Sequence, residues 1–108
     1  MYNLIEVKRK NCYGDLEFPK YNRPFPPNFF TRQYVGVAVD EEKKTCIFID
    51  KNTDVVGDEF PFVPRFSLSV CDITDRTENG KKVCEETSGE PLWCKTLDEV
   101  MEHINGKY

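Results

Sequence analysis

Tyr34-Val35-Gly36-Val37-Ala38-Val39-Asp40, then Glu41-Glu42-Lys43-Lys44, then Thr45-Cys46-Ile47-Phe48-Ile49-Asp50: this stretch decides the fold. Val35, Val37 and Val39 recur at period two, which places them on one face of a β-strand. Further on, Cys46 and Phe48 face one way while Ile47 and Ile49 face the other. A strand with two apolar faces belongs in the middle of a sheet, covered on both sides. The charged tetrad between the two runs is too short for a crossover, so they are expected to form a hairpin.

Toward the C-terminus, Phe66, Leu68 and Val70 alternate with Ser67, Ser69 and Cys71, the pattern of a half-buried strand. Asn79-Gly80 marks a turn, because both residues tolerate positive φ. Lys81 to Thr87 returns as a polar, edge-like strand whose lysines and glutamates discourage further pairing. A short apolar piece, Leu92-Trp93-Cys94, leads into a helix. There Thr96 and Glu99 have the spacing of a capping box. Leu97, Val100, Met101 and Ile104 form one buried stripe. Asp98 and Glu99 suit the positive helix end, and Asn105-Gly106 is the expected stop.

Toward the N-terminus, Tyr2 to Lys8 reads as a short strand. From Lys10 to Arg32 the chain is irregular, because Pro19, Pro24, Pro26 and Pro27 exclude helix and disfavour interior sheet positions. The same stretch carries Tyr13, Phe18, Tyr21, Phe25, Phe29 and Phe30. A second loop, Asn52 to Pro64, again mixes proline with aromatic residues. The expected architecture is one α+β domain over residues 1–108: an antiparallel sheet of four to five strands with one C-terminal amphipathic helix on one face.

Composition agrees with an ordinary globule, at 39% hydrophobic and 31% charged residues, and argues against a disordered chain. The N-terminus reaches charge too soon for a secretory signal, and no apolar run approaches the roughly 18–20 residues that span a bilayer. Five cysteines form an odd set without short repeated spacing, so reduced thiols and a cytoplasmic location are expected. Residues 1–34 hold six bases against three acids, a surplus of +3. Residues 35–108 hold nine bases against sixteen acids, or −7.

Motifs for chemistry are weak. His103 is the single histidine and no Cys-x-x-Cys pair exists, so Cys12, Cys46, Cys71, Cys84 and Cys94 are read as thiols and not as metal ligands. Asp50, Asn52 and Asp54 begin like a calcium loop, but Val55 replaces the turn glycine and Pro61 the bidentate glutamate. Cys94 precedes a helix N-terminus, where a thiol pKa can fall, which makes it the candidate for a Cys-dependent enzyme. Asp72/Asp75, Glu85/Glu86 and Asp98/Glu99 are assigned to turns, an exposed strand and a helix start. Glycines are scattered singly, so no phosphate loop forms, and no cofactor is expected.

The leading expectation is a non-enzymatic protein that binds another protein. Arg23-Pro24-Phe25-Pro26-Pro27-Asn28-Phe29-Phe30 is stiffened by its prolines, which lowers the entropy lost on docking. Arg and Phe are favoured in desolvated interface centres. Arg23, Phe25, Phe29, Phe30 and Arg32 are the candidate contact residues. The alternative is a single-stranded nucleic-acid binder that uses the bases and rings of the same third, against which the acidic pI of about 5.0 weighs. In size and manner, though in no motif, the chain is similar to small accessory or inhibitor proteins of bacteria and their viruses.

Overall fold

The computed structural model describes residues 1–24, 32–52 and 64–108. Its strands are β1 (Asn3–Glu6), β2 (Lys8–Arg9), β3 (Leu16–Glu17), β4 (Tyr21–Asn22), β5 (Arg32–Asp40), β6 (Thr45–Asn52), β7 (Arg65–Glu78) and β8 (Lys81–Trp93). Among the described residues there is one helix, α1 (Leu97–Lys107).

The hairpin of β5 and β6 forms as expected, with Val39 opposite Cys46 and Val37 opposite Phe48. Asp40 Oδ1 accepts from the backbone N–H groups of Glu42 and Lys43, and Lys44 turns the chain at φ 51°. β7 adds to the other side of β6, and β8 to β7. The turn between β7 and β8 has Asn79 at φ 53° and Gly80 at φ 75°, the paired positive φ of a tight hairpin that follows strand twist.

The sheet is larger and more mixed than expected. Among the described residues its order is β1-β5-β6-β7-β8-β4, six strands, and β4 runs parallel to β8 through Tyr21↔Lys82 and Asn22↔Val83. The extra member is β4, a short piece of the proline-rich third, where period two cannot be recognised over two residues. β2 and β3 pair separately. The expected strand from Tyr2 to Lys8 is thus divided, with β1 on the main sheet and β2 outside it. Leu92 and Trp93 continue β8 and are not a separate piece; the strand tolerates Pro91 because its outer side carries no strand there among the described residues.

β6 sits at the centre and separates two cores. On the helix side Ile47, Ile49, Phe66, Leu68 and Ala38 pack with Val100 and Ile104 of α1 and with Tyr2. On the other side Val37, Val39, Phe48, Cys46, Cys71, Ile73 and Cys84 form a smaller core, flanked by Tyr21 and Tyr34. Val35 departs from expectation: it packs with the helix-side core while Val37 and Val39 belong to the other. A bulge between Tyr34 and Gly36 is the cause, since one extra residue inverts the alternation.

In α1, Thr96 Oγ1 accepts from Glu99 N at 3.3 Å, while the Glu99 carboxylate reaches Lys95 N at 2.9 Å and not the N–H of Thr96. The box is therefore shifted by one residue on its return bond. The helix also runs past Asn105-Gly106 to Lys107; Asn105 Oδ1 instead accepts from Tyr2 N at 2.8 Å and ties α1 to the start of the chain. Burying Val100 and Ile104 stabilises the helix by about 1.5–3 kcal/mol each, which so short an element requires. No helix of the described residues is long and apolar enough to cross a membrane.

Candidate functional site

The structure concentrates its unusual chemistry at one end of the sheet, where β5 begins, β6 ends and β7 begins. Arg32 lies opposite Asn52, Tyr34 opposite Asp50, Lys51 opposite Phe66, and Arg65 opposite Trp93. The chain leaves the described fold at Pro24 and Asn52 and returns at Arg32 and Pro64, bordering this same end.

Asp50 is wholly buried, an expensive position for a carboxylate. Arg23 compensates it in a two-pronged pair: Nη1 donates to Oδ1 at 2.6 Å, and Nη2 donates to Oδ2. The guanidinium lies 4.5 Å from the centre of the Tyr34 ring and 5.7 Å from that of Phe48. Phe18, itself exposed, stacks on Tyr34 with ring centres 5.9 Å apart. Burial, the Asp50 charge and the nearby thiols push the Tyr34 hydroxyl well above its ordinary pKa, although Arg23 opposes them. Arg23 Nε and Tyr34 OH are buried without a hydrogen-bond partner among the described residues.

Arg23 is therefore engaged inside the protein, with its side chain 12% exposed. Arg32 is exposed at the start of β5. Phe25, Phe29 and Phe30 lie outside the described residues, as do Asp54, Val55 and Pro61 of the calcium-like stretch. Both oxygens of Asp50 serve Arg23. With its amide oxygen turned toward Arg65, Asn52 accepts from Nε at 2.7 Å and donates to Ser67 Oγ at 3.1 Å. These side chains are occupied by arginines and a serine.

Beside this clamp a cleft of about 540 Å³ opens along the edge of β5. β1 pairs with β5 as far as Glu6↔Gly36, and Val7 N donates to Val35 O at 3.0 Å. Beyond that point, among the described residues, no strand pairs with that edge of β5. Val7, Leu16, Phe18, Tyr34, Val35, Phe66 and Leu97 give apolar walls; among the described residues Arg32, Lys51 and Lys95 are its cations and Glu6 its single carboxylate. Sequence reading missed this cleft. Lys51 and Lys95 stand far from the basic N-terminal third, and only register brings them beside Arg32.

Other candidates are less promising for chemistry. Cys94 is half-buried; burial first, then Glu99, pushes its thiol up, the reverse of activation. His103 Nε2 meets Glu90 at 2.7 Å, and Lys107 Nζ donates to the same carboxylate at 2.6 Å. That anchor joins α1 to β8. Cys46 and Cys84 bring their sulfurs to 3.6 Å without a bond, and all five cysteines are free. The neighbouring thiols and burial push Cys46 far up. Among the described residues no group of three or more metal-ligating side chains is placed to hold an ion. Comparison of the chain with family models, curated proteins and solved structures finds no match.

Proposed function

We propose that this chain is a small non-enzymatic protein of accessory or inhibitor type that acts by binding another protein. Its contact surface centres on Arg32 and on Phe25, Phe29 and Phe30 of the proline-aromatic segment, with Arg23 as the anchor at the segment's base. The observation that carries this reading is the Arg23–Asp50 pair. It fastens one end of the segment to the centre of the sheet, and Arg32 fastens the other through β5. A proline-stiffened aromatic segment held at both ends loses less entropy on docking than a free one. The free thiols favour action in a reducing compartment such as the cytoplasm.

The test is affinity capture from a nuclease-treated bacterial lysate, comparing wild type with the double variant Phe29→Ala/Phe30→Ala. A partner retained by wild type and lost by the variant supports the reading; equal retention overturns the role of the segment. Single-stranded nucleic-acid binding has one supporting observation, the juxtaposition of Arg32, Lys51 and Lys95 with the Phe18 and Tyr34 rings. It predicts oligonucleotide affinity that falls steeply with salt. Absence of binding at low salt rejects it.

A further inference from the structure

We propose that the cleft beside β5 receives an extended acidic-apolar segment of the partner protein, which adds to the sheet as a strand in line with β1. This rests on the protein-binding reading and names the chemistry of the partner. Three observations meet here. The first is the step in the sheet edge. Among the described residues β1 covers β5 only down to Gly36, so the backbone from Arg32 to Tyr34 borders the cleft on the side that β1 leaves. Exposed strand edges are templates for another strand, because their N–H and C=O groups need partners.

The second is the shape of the walls. Lys51 pairs with Phe66 and Gln33 with Lys51, which puts these residues on the helix side with Val35 and Leu97. Tyr34 pairs with Asp50 and stacks on Phe18, on the opposite side, and Arg32 shares that side through its pairing with Asn52. The cleft therefore draws its lining from both faces of the sheet. An added strand, whose side chains alternate between faces, fits such a cleft; a compact small molecule would sit against one face only.

The third is charge. Each side offers apolar walls together with at least one cation, Lys51 on the helix side and Arg32 on the other by register, while Lys95 lines the cleft just ahead of α1. Among the described residues that line it, Glu6 is the single acid. An occupant with apolar residues and carboxylates on both faces matches this pattern, and a lysine-bearing one is repelled. The open stretch, Arg32 to Tyr34 at about 3.3 Å per residue, sets the length of pairing.

The probe is a fluorescently labelled peptide with a valine pair, a glutamate pair and a second valine pair, which places valine and glutamate on both faces of a strand. Binding is read by anisotropy, and its place by amide chemical shifts of the intact protein. The expected result is saturable binding that shifts the amides of Arg32–Val35. It weakens at least tenfold in Lys51→Glu/Lys95→Glu, whose side chains are exposed, and that variant gains affinity for the lysine-for-glutamate peptide. Backbone N-methylation of the probe abolishes binding. Equal affinity for acidic and basic peptides, tolerance of N-methylation, or decanoate shifting the same amides when the peptide does not would each overturn the proposal. So would dimerisation of the chain through this edge. Capture lost in Phe29→Ala/Phe30→Ala but retained in Lys51→Glu/Lys95→Glu overturns the cleft and leaves protein binding standing. Peptide binding at the cleft with no captured protein leaves the strand-accepting edge and removes the wider reading.

Discussion

Arg23→Met strips the guanidinium from Asp50, whose carboxylate is wholly buried between β5 and β7. A buried charge that loses its partner costs about 3–5 kcal/mol, because desolvation is no longer offset. Chains of this size are stable by about 5–15 kcal/mol in all, so the variant gives up a large part of that margin. At a urea slope of about 2 kcal/mol/M, the unfolding midpoint falls by about 2 M. The double variant Arg23→Met/Asp50→Leu removes both charges and fills the space with apolar atoms, and it recovers most of the loss. Equilibrium urea unfolding followed by far-UV circular dichroism on wild type, both single variants and the double variant gives the coupling directly. A loss below about 1 kcal/mol for Arg23→Met refutes the reasoning, since it would mean that Asp50 is not paired in solution. Arg23 would then be free to touch a partner itself. If the loss is as expected and the double variant folds but no longer captures the partner, Arg23 acts by positioning the segment beside it.

Four further outcomes follow from individual contacts. A Cβ at residue 36 would stand 2.5 Å from the carbonyl oxygen of Ile5, so Gly36→Ala forces β1 from β5 and destabilises by about 1–3 kcal/mol, measured by thermal unfolding. Thr96→Ala leaves Glu99 N–H without its cap and costs about 1 kcal/mol, while Thr96→Ser costs a few tenths. Lys107 first, then His103 and Tyr108, hold the Glu90 carboxyl down to about 2, so its contribution is complete above the unfolded value and disappears as pH falls from about 4.5 toward 2. Glu90→Gln should flatten that part of the stability-pH curve; an unchanged slope would show that the anchor of α1 is not electrostatic. With a maleimide reagent at neutral pH, Cys12 should label rapidly, Cys94 slowly, and Cys46, Cys71 and Cys84 only on unfolding. Selective fast labelling of Cys94 would reopen the Cys-dependent enzyme.

The hairpin of β5 and β6, the alternation from Phe66 to Cys71, the Asn79-Gly80 turn and the apolar stripe of α1 were legible because each rests on local periodicity or turn chemistry. What local pattern cannot carry is the single inserted residue. Val35 reads as the partner of Val37 and Val39, and nothing in the sequence signals that the bulge at Tyr34/Gly36 reverses it. Two-residue strands such as β3 and β4 have no period to detect. At the candidate site, Arg23 and Arg32 could be named from their neighbours along the chain. The burial of Arg23 could not, because in sequence its partner Asp50 reads with Asn52 and Asp54 as the start of a calcium-like loop. Lys51 and Lys95 carry no sequence signal linking them to Arg32; the sheet register and the start of α1 supply the link.

Charge is sorted in space differently from the way it is sorted along the chain. Residues 1–34 have a surplus of +3 and residues 35–108 of −7, which suggests a basic N-terminal third set against an acidic remainder. Folding draws Lys51, Arg65 and Lys95 out of that remainder to the end of the sheet where Arg32 begins β5. Glu41, Glu42, Asp72, Asp75 and Glu78 lie toward the opposite, hairpin end, interleaved with Lys43, Lys44 and Arg76. Among the described residues, an acidic chain thus lines this cleft mainly with cations. At physiological salt the Debye length is about 8 Å, so an approaching acidic segment feels these cations at close range while the net charge of −4 is largely screened. Long-range steering is therefore weak, and association should fall in the ordinary range of about 10⁵–10⁷ M⁻¹s⁻¹. Discrimination at such a site lies in the contact itself, in whether the incoming strand places carboxylates beside Arg32, Lys51 and Lys95 and apolar side chains against Phe18, Tyr34 and Phe66.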